Sequence, residues 1–92
     1  GPLIRVALNP GGHIILAPSP AIHLLRIHLE NPVKNGGFWQ VFDSMGATAI
    51  SGTWDVESAD YELDVSQLPE GLYTFFLQAD GQVWLKQFGK RE

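Results

Sequence analysis

Apolar and polar residues alternate along most of this chain with a period of two, the pattern of strands half buried against a core. Leu63 and Val65 alternate with Asp64 and Ser66; after a turn, Tyr73, Phe75 and Leu77 alternate with Thr74, Phe76 and Gln78. The intervening Leu68-Pro69-Glu70-Gly71 reads as that turn, because Pro69 presets φ and Gly71 permits φ > 0. Leu25, Ile27 and Leu29 fall on one face of another such segment, with Leu24, Arg26 and His28 on the other. No window sustains a 3.6-residue apolar period, so no helix is expected.

Punctuation between the apolar runs sets the strand boundaries. Leu3 to Leu8 and His13 to Ala17 flank the turn Asn9-Pro10-Gly11-Gly12. A third strand follows from Leu24 to Leu29. Asn31-Pro32-Val33-Lys34-Asn35-Gly36-Gly37 then reads as a turn, since Pro32 has no N–H to give a central ladder. Further strands are predicted over Phe38 to Asp43, Thr48 to Trp54, Tyr61 to Val65, Leu72 to Gln78 and Gln82 to Phe88, with Asp80-Gly81 as a two-residue hairpin. The expected fold is all-β: a single immunoglobulin-like antiparallel β-sandwich of seven to eight short strands, with Leu25, Ile27, Val41, Tyr73, Phe75 and Leu77 in one core.

Length and composition narrow the functional classes. A chain of 92 residues makes one domain, and its 45% hydrophobic content with three tryptophans argues against a disordered tail. With no cysteine, disulfides and thiolate metal sites are excluded. A net charge of −4, with six lysines and arginines spread along the chain, disfavours nucleic acid as a partner. No run is long enough for a transmembrane helix, and no signal peptide is present. Gly1-Pro2 reads as an expression-tag scar. The chain is therefore expected to be a fragment, with residues 3–16 as N-terminal strands linking to a missing passenger and residues 17–92 as the domain core.

Candidate chemistry is sparse. His23 and His28, five apart, fall on opposite faces of a strand, which argues against a metal site with His13. Asp60, Glu62 and Asp64 share a strand face beyond Asp55 and Glu57, but no cleft or glycine-bearing ligand loop accompanies them, so they read as a solvated face. Ser44, Ser51, Ser58 and Ser66 sit in or beside turns with no nearby histidine to act as base. No catalytic residue or cofactor is expected. Trp39, Trp54 and Trp84 could stack sugars if exposed, the hallmark of a carbohydrate-binding accessory module, but their place within strands favours burial. Lys86, Lys90 and Arg91 give an acidic chain a basic end, which serves either to protect a last strand from edge pairing or to guide docking.

The eleven residues from Leu63 to Tyr73, Leu-Asp-Val-Ser-Gln-Leu-Pro-Glu-Gly-Leu-Tyr, resemble the isoleucine-aspartate-leucine-serine, leucine, glycine-isoleucine-tyrosine segment of type IX secretion C-terminal sorting domains of the type A family. Asp64, Leu68, Gly71 and Tyr73 carry the match. Ala17-Pro18-Ser19-Pro20-Ala21 is similar to the family's tyrosine-proline-asparagine-proline-alanine turn through Pro18 and Pro20, with Ala17 and Ser19 departing from it. Trp39 to Gly46 resembles the strand that ends in an aspartate, Asp43, with a glycine, Gly46, three residues later; Phe42 stands where tyrosine is usual. Val83 to Glu92 is similar to the closing strand and basic tail.

The resemblance implies a folded address rather than an enzyme. Its expected partners are the outer-membrane translocon and its shuttle proteins, a surface sortase, anionic lipopolysaccharide indirectly, and an upstream passenger domain. The expected route runs through the periplasm to the cell surface or the medium. Recognition is expected at Gly71, Tyr73, Lys86, Lys90 and Arg91, and sortase cleavage in Leu3 to Asn9. An immunoglobulin-like or carbohydrate-binding module, or a structural spacer, is the competing reading; exposed tryptophans would favour the binding module, and an accessible last strand the sorting domain.

Overall fold

Alternation in sequence becomes two facing sheets in space. The computed structural model describes residues 9–92, which form β1 (Asn9–Pro10), β2 (Ile14–Ala17), β3 (Leu24–Val33), β4 (Gly37–Phe42), β5 (Thr48–Trp54), β6 (Ser58–Asp64), β7 (Gly71–Ala79) and β8 (Gln82–Lys90). Gly1-Pro2, read as a tag scar, and the strand expected over Leu3 to Leu8 lie outside the described residues. One sheet has the order β1-β8-β7-β4-β5 and the other β2-β3-β6. All pairings are antiparallel except the short parallel one of β1 with β8. The all-β sandwich read from the alternation is the observed fold.

The six residues assigned to the core are all buried, none more than 5% exposed. They meet in a shared layer: β3 contributes Leu25, Ile27, Leu29 and Val33, β4 contributes Trp39 and Val41, and β7 contributes Tyr73, Phe75 and Leu77. Aromatic rings bridge the sheets. Trp39 of β4 and Trp54 of β5 both lie against Tyr61 of β6, with ring centroids 5.9 and 5.5 Å apart, and Trp39 stacks on Phe75 at 6.3 Å. Contacts of this kind add about 0.5–1.5 kcal/mol each beyond the area they bury.

Asp80 and Gly81 both have positive φ, 53° and 71°, as the two central residues of a type I′ hairpin require. Three expectations are overturned. Asn9 and Pro10, read as the start of a turn, form β1 beside Gln82 and Val83. β3 does not stop at Leu29 but runs through Asn31 and Pro32 to Val33, and its pairing with β6 shifts register between His28 and Val33. The irregular stretch accommodates the residue that has no N–H for a ladder. Gly71 is not among the residues with positive φ; it is the first residue of β7, paired with Lys90. A Cβ there would come no closer than 3.9 Å to the Tyr73 ring, so the position does not demand glycine.

Candidate functional site

The residues singled out by sequence do not form one cavity; they divide into turn-forming residues and the end of β8. Asp43 closes the β4–β5 turn: its Oδ1 accepts from the backbone N–H of Met45 at 2.9 Å and of Ala47 at 3.0 Å, while Gly46 supplies φ 85°. Asp64 does the same after β6, accepting from the Ser66 N–H at 2.9 Å and the Ser66 hydroxyl at 2.6 Å. That hydroxyl first, and then the backbone bond, lower the Asp64 pKa below the usual 3.8. Leu68 is buried and donates its N–H to the Val65 carbonyl at 3.0 Å. These positions shape the backbone rather than present reactive groups.

Tyr73 ties the next turn to the core. Its hydroxyl donates to the Pro69 carbonyl four residues upstream at 2.6 Å, and its ring stacks on Phe88 at 5.7 Å, a bond resembling the tyrosine corner of immunoglobulin-like sandwiches. Burial, and secondarily the Asp43 carboxylate, raises its pKa above 10.0. A further aspartate that the motif reading did not include, Asp80, accepts from the backbone N–H groups of Lys34 at 2.7 Å and Asn35 at 3.0 Å, clamping the last hairpin to the β3–β4 connection. The Lys34 bond is the main reason its pKa is lowered.

The last strand differs from expectation. Its outer side is occupied at both ends by the chain's own N-terminal part. β1 pairs with Gln82 and Val83, and the Gly11 N–H reaches the Val83 carbonyl at 2.7 Å. At the other end Ala21 donates to the Gly89 carbonyl and accepts from the Arg91 N–H, both at 2.8 Å, and Ser19 Oγ accepts from the Gly89 N–H at 3.2 Å. Pro18 and Pro20, each after a cis peptide bond, lie in the segment that carries the chain from β2 to this contact. Among the described residues, the stretch from Trp84 to Phe88 lacks a backbone partner on that side, so β8 is an available edge over its middle but not at the C-terminal end that the sequence suggested.

The basic residues separate accordingly. Lys90 is only 5% exposed and donates from Nζ to the Arg91 carbonyl at 3.1 Å, so it is not a solvated recognition charge. Alternation explains this: Trp84, Lys86, Phe88 and Lys90 share the inward side of β8. Lys86, on that side but exposed where β2 passes, donates to the Ile14 carbonyl at 3.3 Å. Arg91 is exposed beyond the strand end.

The outward face of the larger sheet carries an apolar stripe that the sequence reading did not single out. Phe76 lies 6.0 Å from Phe38 and 6.2 Å from Phe42, with Leu85 beside it on β8 and 61% exposed. Its signal was present: in Thr74-Phe75-Phe76-Leu77 both faces carry an apolar residue, which breaks strict alternation. The smaller sheet's outward face is charged instead. Arg26 lies 3.5 Å from Glu62, and His28 Nδ1 is 2.5 Å from Asp60 Oδ1. The acidic row is exposed, as its pattern indicated; Asp60 and Glu62 are paired across strands, while Asp64 is turned to Ser66. His13 and His23 are exposed and take no part in either pair. Trp39, Trp54 and Trp84 are all buried, leaving no exposed tryptophan platform for sugars.

The profile of the secretion system C-terminal sorting domain matches residues 16–90. The chain belongs to that family. It is a type IX secretion C-terminal sorting domain with a β-sandwich fold, and the family is not an enzyme family. A sorting signal of this type implies a secreted cargo that reaches the cell surface or the outside. A comparison with curated proteins finds no match. The matched stretch contains each motif turn, from Pro18 through Asp43, Gly46, Asp64 and Leu68 to Tyr73, together with all of β8.

Proposed function

We propose that this domain passes an upstream passenger through the periplasm to the outer-membrane type IX translocon and its shuttle proteins, which read the end of β8 and the residues after it. A surface sortase then cuts ahead of the domain, in Leu3 to Asn9, and joins the passenger to anionic lipopolysaccharide. The observation that carries this reading is the family match over residues 16–90, which includes the closing strand. Polarity supports it. The chain enters the described body at Asn9, beside Gln82, and leaves it after Lys90, so entry and exit lie at opposite ends of β8, about 26 Å apart at 3.3 Å per residue.

At the exit end, Arg91 is the exposed cation, Lys86 stands further back beside β2, and the Phe76–Leu85 stripe borders the strand on its outward side. Gly71 and Tyr73 contribute from the neighbouring strand, facing Lys90 and Phe88. Lys90 acts by holding the Arg91 carbonyl rather than by offering charge. The test is export of a reporter carrying a signal peptide and this domain, in a host with the translocon. Surface or extracellular reporter is expected; retention of the folded fusion in the periplasm would refute the assignment.

A further inference from the structure

Two of the three asparagines in this chain cannot react with their own backbone. Asn9 and Asn31 each precede a proline, whose nitrogen carries no hydrogen and so cannot attack the side-chain amide. Asn35 precedes Gly36 instead, and glycine leaves the approach to that amide unobstructed. The fold keeps this pair in place. Gly36 has φ 76°, and a Cβ there would lie 3.2 Å from both the Trp54 carbonyl oxygen and Val56 Cγ1, so another residue would be strained. Asn35 is exposed in the connection between β3 and β4, and among the described residues the Gly36 N–H has no hydrogen-bond partner.

We propose that Asn35 is a site of spontaneous modification, at which the Gly36 nitrogen attacks the side-chain amide and the product loosens the clamp that Asp80 makes on this connection. Asparagine is among the thermolabile side chains. The Gly36 nitrogen gives its proton to solvent and bonds to Asn35 Cγ, while the Cγ–Nδ2 bond breaks and the amide nitrogen leaves as ammonia. A succinimide ring closes. Water opens it at either carbonyl, leaving aspartate or isoaspartate at position 35, with no oxidant or cofactor consumed.

Both products oppose the clamp. Asp80 accepts from the Lys34 N–H at 2.7 Å and the Asn35 N–H at 3.0 Å, and the Asn35 side chain also helps to keep its carboxyl ionised. A carboxylate at position 35 faces that of Asp80, and like charges at close range repel. Isoaspartate also adds a methylene to the main chain between Lys34 and Gly36, which displaces the donors. Asp80-Gly81 has a similar dipeptide form, but its carboxyl, held ionised by those donors, is a poor target for attack. Asp80 lies two residues before Gln82, the partner of Asn9, so the clamp and the entry of the upstream chain share one end of the sandwich.

The test is incubation of the 92-residue chain in mildly alkaline buffer beside a synthetic peptide covering Val33 to Phe38, followed by peptide mapping with mass spectrometry. Position 35 is expected to gain the mass of an amide-to-acid conversion, Asn9 and Asn31 to keep theirs, and conversion to slow in mildly acidic buffer. Asn35→Gln, which would have to close a larger ring, should keep its mass. In the converted fraction, separated by its extra negative charge, the Lys34 amide should exchange hydrogen severalfold faster than in the unconverted fraction. A chain unchanged at position 35 once the peptide has fully converted, equal conversion at Asn9 or Asn31, or unchanged exchange at Lys34 would overturn the proposal.

Discussion

The two edges of the five-stranded sheet are built in opposite ways. On the β8 side the chain doubles back, placing β1 against one end of the strand and Ala21 against the other. On the β5 side seven uncharged residues end the sheet with no described neighbour. A basic C-terminal strand invites the thought that a receptor adds a strand to it; the structure leaves only the middle of β8 for that, where Leu85 and Lys86 are exposed, while Arg91 is the exposed cation at its end. We propose that recognition at the β8 edge uses side chains, because both ends of its backbone are already paired.

Substitutions separate these roles, beginning with the core beneath the closed edge. Phe88→Ala removes the ring that stacks on Tyr73, and is expected to cost about 3–5 kcal/mol, read as a lower urea midpoint. Lys90→Glu should come next: a carboxylate in a buried position facing the Arg91 carbonyl costs about 1–3 kcal/mol, whereas Arg91→Glu stays within about 0.5 kcal/mol in the same titration. Equal effects of the two would show that the end of β8 is not closed. Tyr73→Phe, which loses only the bond to Pro69, is expected to cost about 0.5–1.5 kcal/mol. Gly71→Ala should stabilise by about 0.4–1 kcal/mol, because the position is compatible with a side chain and the unfolded chain loses freedom.

The smallest effect is acid sensitivity. Asp64 and Asp80 have folded pKa values below 3.8, so their contribution is complete above that value and is lost as pH falls through it towards the lower folded values. Urea midpoints measured from about pH 5 to pH 2 should fall, and Asp80→Asn should flatten part of that slope. An unchanged slope would show that the clamp on Lys34 and Asn35 is not maintained in solution.

These residues also show what a sequence of this kind discloses. Alternation located the core because a period of two has one structural meaning, and Asp80-Gly81 fixed a hairpin because both positions need positive φ. Gly71 misled for a related reason: glycine permits the left-handed region without requiring it. Pro32 was tolerated within β3 because the pairing is irregular there, which only the register reveals. The closed edge was not legible, since Ala21 and Gly89 are far apart in sequence and meet through backbone atoms that carry no side-chain signature. Lys90 was read as tail because charge suggests exposure, although its alternation with Phe88 already placed it on the inner side.

The central claim, that the sorting signal is read through side chains at the closed edge, is tested most directly by export of one reporter in three forms: intact domain, Lys86→Glu with Arg91→Glu, and Ser51→Lys. Surface and periplasmic fractions are compared in a host carrying the translocon, with folding of each form verified by protease resistance. The account predicts that the intact and Ser51→Lys forms reach the surface while the doubly charge-reversed form remains in the periplasm. Normal export of the charge-reversed form, or retention of the Ser51→Lys form in its place, would contradict it.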